Sequence, residues 1–484
     1  MKNLLERKTI LTMFILLVVI GGCFFFILNN PASIKDLQFY CNYDINVTLE
    51  PAQNTFFYSE EAKVSNIGED LTSELYFNLY INKDLDAEEQ IKVISAVDEA
   101  GNAVNIEKLN DGQLFRIDLN QPLEVGEETS ITFQCQADLP ILAVNYGVGP
   151  YGEIQIPFFN LQLAVYEETG WDIAPSCTNS DGRHSEVADY NLKITAPSEY
   201  QVACTGQEIS MHKEVLNGQS WTTYCLEAPK RRDIMAAAYK NYLRLERTVG
   251  DTTIIGFFNL EQSSEAVAQT TMDKAAFAVD YFNQIYIKYP HKTLVVASAA
   301  LGTRTISNME YSGYVTLTMG DSAAMGGKDE HDAYNVETLY HEIAHQWFYF
   351  LVGNDENKEP WLDEGFASFS SNLCLEAAGD QSALSWNFYK NVAERYPGYA
   401  VNTSADKMSY LYYDISYLRG AHFLAELMKI MGRDDFLCAI SEYCHTYVNK
   451  IATTQDLLNI FSANTNQDLT EIFQEYTQTM EKHK

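Results

Sequence analysis

Near residue 250 the spacing of the apolar residues changes from two to about 3.6, and that change divides the fold. From Asp36 to about Arg247, short runs alternate apolar and polar positions, as in "DINVTLE", "ELYFNLYI", "FRIDLN", "TSITFQCQ" and "DYNLKITA". Turn signals such as Asn110-Asp111-Gly112 separate them. A period of two puts every second side chain on one face, the pattern of half-buried antiparallel strands. Beyond this region Ser264 to Tyr289 reads as a long amphipathic helix, and "TLVVAS" and "GYVTLTM" read as strands. From Val336 onward nearly everything has helical spacing, ending in "TQDLLNIFSA" and "DLTEIFQEYTQ". A chain of 484 residues exceeds one ordinary core. The expectation is an α+β protein, with an antiparallel β-sheet domain over 36–247 and a mixed α/β, mostly helical domain over 248–484.

The N-terminus predicts a location. Lys2, Arg7 and Lys8 lie within residues 1–8, and Thr9 to Leu28 then carries no charge. As a helix those twenty residues would span roughly 30 Å, the thickness of a bilayer's hydrocarbon core. The basic flank places 1–8 in the cytoplasm and everything after 9–28 outside it, by the positive-inside rule. A single-pass protein of the cell membrane, extracytoplasmic beyond residue 28, is therefore expected. A cleaved signal peptide usually has a shorter apolar core. "IGGC", ending at Cys23, resembles a lipoprotein site, but the apolar run continues through Phe24, Phe25 and Phe26.

Charge and cysteine content narrow the function. Lys and Arg number 33 against 66 Asp and Glu, a net charge of −33, which argues against nucleic acid as a partner. Apart from Cys23 there are eight cysteines, with no C-x-x-C or Cys/His cluster, so cysteine-ligated zinc is disfavoured. Most read as small buried apolar residues.

The chemistry concentrates in "ETLYHEIAHQWFYF". Asn335 reads as an N-cap and Gly353 as a stop, giving a helix over Val336–Val352. His341 and His345 stand one turn apart on one face, so two imidazoles can reach one metal ion. Glu342, one step round, can hydrogen-bond a water on that ion. A catalytic zinc site needs a third protein ligand and one open position. "QWFYFL" after His345 offers no third histidine, but Pro360 begins a new helix whose first turn holds Glu364. Helix, loop and helix can return Glu364 to the histidine pair. An exposed acidic first turn, favoured by the helix dipole, suits Asp363 better.

"HEIAHQW" followed by the glutamate of "WLDEGFA" resembles the aminopeptidase N / leukotriene hydrolase family of zinc metallopeptidases (gluzincins). The resemblance implies a thermolysin-like catalytic domain and one zinc per chain on His341, His345 and Glu364. It implies Glu342 as general base. The family's Gly-x-Met-Glu-Asn signature corresponds to "SNMEYSG", so Glu310 is expected to hold the substrate's free amino terminus. Ser307-Asn308 and Tyr311 depart from that pattern, which bears on substrate preference. The family's Tyr-x-Lys-Gly stretch corresponds to Tyr417-Leu418-Arg419-Gly420, making Tyr417 the expected oxyanion donor. Larger members continue into an all-helical domain; the expectation here is a short form without it, its oligomeric state open. The activity implied is removal of N-terminal residues from peptides. The alternatives are a zinc endopeptidase or other hydrolase on the same scaffold, and a non-catalytic interaction module.

Overall fold

The computed structural model describes residues 37–83, 90–141, 145–177, 180–299, 308–319, 330–380 and 386–478. The expected membrane segment Thr9–Leu28, Cys23 and Ser307 lie outside the described residues. Among the described residues no helix is long and apolar enough to cross a membrane.

The first unit is built from strands β1 (Phe39–Glu50), β2 (Thr55–Asn66), β3 (Ile91–Asp98), β4 (Glu128–Asp138), β5 (Ala188–Pro197), β6 (Gln207–Leu216) and β7 (Gln219–Arg231). They form one sheet in the order β6-β7-β5-β1-β2-β4-β3. In β1 the alternation is strict, with Phe39, Cys41, Tyr43, Ile45, Val47 and Leu49 all buried. This face packs on a four-stranded sheet that includes Thr72–Asn78 and Leu114–Leu123; Phe77 and Phe133 meet edge to face at 5.1 Å. The large sheet is antiparallel except for β1 and β5, which run parallel. Long intervening chain joins that pair, so no hairpin constrains its direction.

The second unit opens with β8 (Tyr242–Val249) and β9 (Thr252–Asn259), followed by α1 (Glu265–Ile285), β10 (Thr293–Ser298), β11 (Met309–Tyr311) and β12 (Tyr314–Leu317). The sheet order is β8-β9-β10-β12-β11. β8 and β9 pair throughout their length, so the boundary expected at 247/248 falls inside a strand. Helix α1 is capped by Ser264, whose Oγ accepts the N–H of Val267, a contact worth about 1 kcal/mol. Its buried face, Ala268, Met272, Ala275, Val279 and Phe282, has the helical spacing read from the sequence. The helical layer continues with α2 (Glu330–Ala344), α3 (Trp361–Ala378), α4 (Trp386–Ala393), α5 (Gly420–Met431), α6 (Arg433–Tyr447), α7 (Thr454–Ala463) and α8 (Thr470–Tyr476). The two units meet through a shared apolar cluster that includes Met235, Tyr239, Phe257, Val295 and Tyr314.

The metal-motif helix differs from its expected bounds at both ends. α2 spans Glu330–Ala344, so Asn335 lies within it and is no cap. It ends at Ala344, eight residues before Val352. Gln346 leaves the helix to accept the N–H of Gly313 at 2.8 Å and donate to the carbonyl of Tyr311 at 3.0 Å. Trp347 enters the core and donates Nε1–H to Ile287 at 2.7 Å. Tyr349 then adopts φ 93°, and Val352–Gly353 pair with Lys450–Ile451 as a short parallel ladder. Gly353 is therefore not a helix stop; a Cβ there would overlap the Arg232 guanidinium.

Candidate metal centre

Three elements converge on the histidine pair. Helix α2 presents His341 and Glu342, with His345 in the turn that follows; α3 returns Glu364 from its first turn; and Tyr413–Arg419, a π-helical segment leading into α5, presents Tyr417. Wide π turns recur at functional sites because they re-aim a side chain without ending the helix.

The ligand geometry fits a tetrahedral ion. His345 Nε2 lies 3.1 Å from His341 Nε2, and Glu364 Oε2 lies 3.2 Å and 3.3 Å from those two nitrogens. For a tetrahedral zinc with bonds of about 2.0–2.1 Å, neighbouring ligand atoms stand about 3.3–3.4 Å apart. Supporting contacts fix the rings. His345 Nδ1 donates to the Phe348 carbonyl at 3.3 Å, and His341 Nδ1 lies 3.4 Å from Ser368 Oγ. Such contacts leave Nε2 free as the ligand atom.

Electrostatics agree. Burial works against charge on His345, but Glu310 and Glu364 outweigh it and push its pKa up to about 9. A positive charge at that nitrogen is therefore favoured, and a divalent cation supplies one. Burial would raise Glu364, yet hydrogen bonds from both histidines hold it well below the usual carboxylate range. Burial pushes the Glu342 carboxyl well above that range, with Glu310 and Glu364 adding to the rise. Glu342 Oε2 is buried without a hydrogen-bond partner among the described residues. Tyr417 donates to Glu364 Oε1 and stacks on His341, with ring centroids 5.6 Å apart. Burial, then Glu364, raises its phenol well above the ordinary value, so it stays protonated and remains a donor.

Glu310 sits on β11, the last strand of the sheet, 5% exposed and close to Glu342 and His345. All six expected site residues are thus brought together. Asp363 corrects the reading of that turn. It is buried, not exposed; burial and then Glu356 raise its carboxyl, and it accepts the N–H of Glu364 at 2.9 Å. Arg419 faces away from the centre and donates to the carbonyls of Tyr399, Ala393 and Glu475.

Sequence reasoning missed Arg183, Glu356 and Asp233; Arg183 contacts Glu310 and both of these acids. They lie in irregular segments, where no periodicity marks them. A second grouping of ligand-type side chains, Glu167, Asp172, His184 and Asp355, already surrounds a cation. The Lys358 ammonium lies 2.7 Å from Glu167 and 3.0 Å from Asp355.

The peptidase family M1 domain model matches residues 268–476. Aminopeptidase M1-B of Oryza sativa is 25% identical over 310 residues, covering 60% of this chain and 34% of that protein. Glutamyl aminopeptidase of Rattus norvegicus is 24% identical over 310 residues, covering 61% and 32%. The chain thus spans about a third of the length of these curated relatives. An M1 zinc metallopeptidase from Deinococcus radiodurans has the same fold, with 17% identity, a TM-score of 0.65, and coverage of 93% of this chain and 96% of that one. A two-domain M1 zinc metallopeptidase bound to L-arginine aligns over 88% of this chain with a TM-score of 0.63. The fold is an N-terminal β-sandwich followed by a mixed α/β domain, and residues 268–476 of the latter match the peptidase family M1 domain.

Proposed function

We propose that this protein is a zinc aminopeptidase that removes residues from the free N-terminus of peptides, with one zinc per chain. The observation that carries the reading is the triangle of His341, His345 and Glu364 ligand atoms beside the unpartnered Glu342 oxygen. Zinc bound there supplies Lewis-acid polarisation of a carbonyl and lowers the pKa of a bound water. Glu342 takes the proton of the attacking water and passes it to the leaving amine; its raised pKa suits both steps. Tyr417 donates to the developing oxyanion. Glu310 holds the substrate ammonium and so sets where the cut falls. In support, an M1 zinc metallopeptidase from Deinococcus radiodurans has been solved with a Tyr-Ser-Ala substrate. A panel of aminoacyl chromogenic substrates, with and without chelator, tests the reading; activity indifferent to chelator would overturn it.

A zinc endopeptidase on the same scaffold is favoured by one observation: the Arg183 guanidinium already rests on Glu310. Equal cleavage of N-acetylated and free peptides would select that reading.

The division into a sheet domain and a catalytic domain, and the single-pass anchor at Thr9–Leu28 with the catalytic domain outside the cell membrane, belong to the same proposal. The anchor rests on the uncharged run and its basic flank. Protease added to intact cells is expected to remove the catalytic domain; full protection until lysis would reject the orientation. An acylated N-terminus at Cys23 would replace the helix with a lipid.

A further inference from the structure

Arg183 is 2% exposed and lies in an irregular stretch of the N-terminal unit, ahead of β5. Its guanidinium reaches three carboxylates. Nη2 contacts Glu310 Oε1 and stands 2.8 Å from Glu356 Oε1, Nε donates to Glu356 at 3.1 Å, and Nη1 lies 3.7 Å from Asp233. Nη1 also lies 3.4 Å from the Glu310 backbone carbonyl. The backbone N–H of Arg183 donates to Glu356 at 2.6 Å. Aromatic rings hold the group on its faces, with Tyr349 at 4.8 Å and Phe158 at 5.3 Å from the guanidinium carbon.

A side chain anchored this way cannot swing into solvent when substrate arrives. A planar guanidinium that contacts both the carboxylate and the carbonyl of one residue fixes that residue's rotamer as well as its charge. We infer that Arg183 is a positioning residue for the proposed exopeptidase reaction: it holds Glu310 so that the carboxylate's other oxygen faces the substrate ammonium. The amine site is then shared between the two units of the chain. The guanidinium brings one positive charge to a group of three carboxylates. This inference rests on the aminopeptidase reading above, and its test separates the two.

The experiment uses the full chain in detergent and two zinc-binding competitive inhibitors, an aminoacyl hydroxamate and the same hydroxamate lacking its α-amino group. The ratio of their inhibition constants reports the amine site alone, and the des-amino compound reports an intact zinc site. Native enzyme is expected to prefer the amine-bearing compound, and Arg183→Lys to reduce that preference about tenfold while binding the des-amino compound as before. In a Glu310→Gln background, Arg183→Lys is expected to change the ratio no further, since its effect passes through Glu310. No preference in the native enzyme would overturn the aminopeptidase reading. A native preference that survives Arg183→Lys, or one that falls equally in both backgrounds, would overturn the positioning role. Should Arg183→Lys disturb the zinc site, Glu356→Gln decides: loosening the guanidinium from its other side is expected to lower the ratio, and an unchanged ratio overturns the proposal.

Discussion

Gly365 and Gly420 meet backbone to backbone. A methyl group on Gly365 would stand 3.1 Å from the Cα of Gly420 and 3.1 Å from the carbonyl oxygen of Ser416. Glu364 precedes one glycine and Tyr417 lies three residues before the other, so this contact sets the approach of the metal-ligand carboxylate to the oxyanion donor. The absent side chains let α3 and the π-helical segment close to the distance at which Tyr417 reaches Glu364 Oε1.

Gly365→Ala should therefore destabilise the protein by about 1–3 kcal/mol, the cost of overpacking against backbone that cannot yield. It should also lower kcat by moving Tyr417 away. Thermal unfolding and steady-state kinetics check both effects, and Tyr417→Phe is the reference for a lost donor. That variant is expected to lose about 10²–10³ in kcat with little change in stability.

Glu342→Gln and Glu364→Ala should separate base from ligand. The first is expected to keep zinc, measured by elemental analysis, while losing about 10²–10⁴ in rate. The second removes a ligand atom 3.2–3.3 Å from both imidazoles, and zinc occupancy should fall. A Glu342→Gln enzyme with full activity would show that the base has been misassigned.

Glu310→Gln should cost about 2–3 kcal/mol in kcat/KM on free-amine dipeptides, the scale of a charge-assisted hydrogen bond. N-acetylated peptides should be poor substrates for the native enzyme and change little in the variant. Zinc content should be unaffected.

The His184–Asp172 pair, 2.7 Å apart, should make stability depend on pH. Burial opposes charge on His184, but the Asp172 hydrogen bond and Asp355 raise its pKa above the ordinary value. Its contribution is therefore fully present below the unfolded-state pKa and lost as pH rises through the folded value. Asp172 is shifted the other way: burial opposes its charge, but His184 holds its pKa below the ordinary value. Its share is lost only as pH falls through that lowered pKa. The stability advantage of native protein over Asp172→Asn should be about 1–2 kcal/mol near pH 6 and shrink by about pH 9. Urea unfolding at the two pH values measures it; an advantage that grew with pH would contradict the assignment.

What the sequence determined by itself is what local periodicity can carry. Alternation in "DINVTLE" becomes β1, and the spacing in Ser264 to Tyr289 becomes α1 with its serine cap. The four-residue step from His341 to His345 puts two imidazoles on one face wherever the helix lies. Glu364 was legible because it lies in the first turn of the next helix, near enough in the chain to return to the histidine pair. The tertiary structure alone decided the rest. α2 ends at Ala344 because Gln346 and Trp347 find partners on β11, on β12's turn and after α1, which no neighbouring residue announces. Asp363 is buried, although its position in a first turn suits solvent. Arg183 lies 127 residues from Glu310 and 173 from Glu356, and contacts across such separations leave no repeat in the chain. Helices and strands repeat their own spacing in the sequence, whereas a charge brought across two folded units is placed only by their packing.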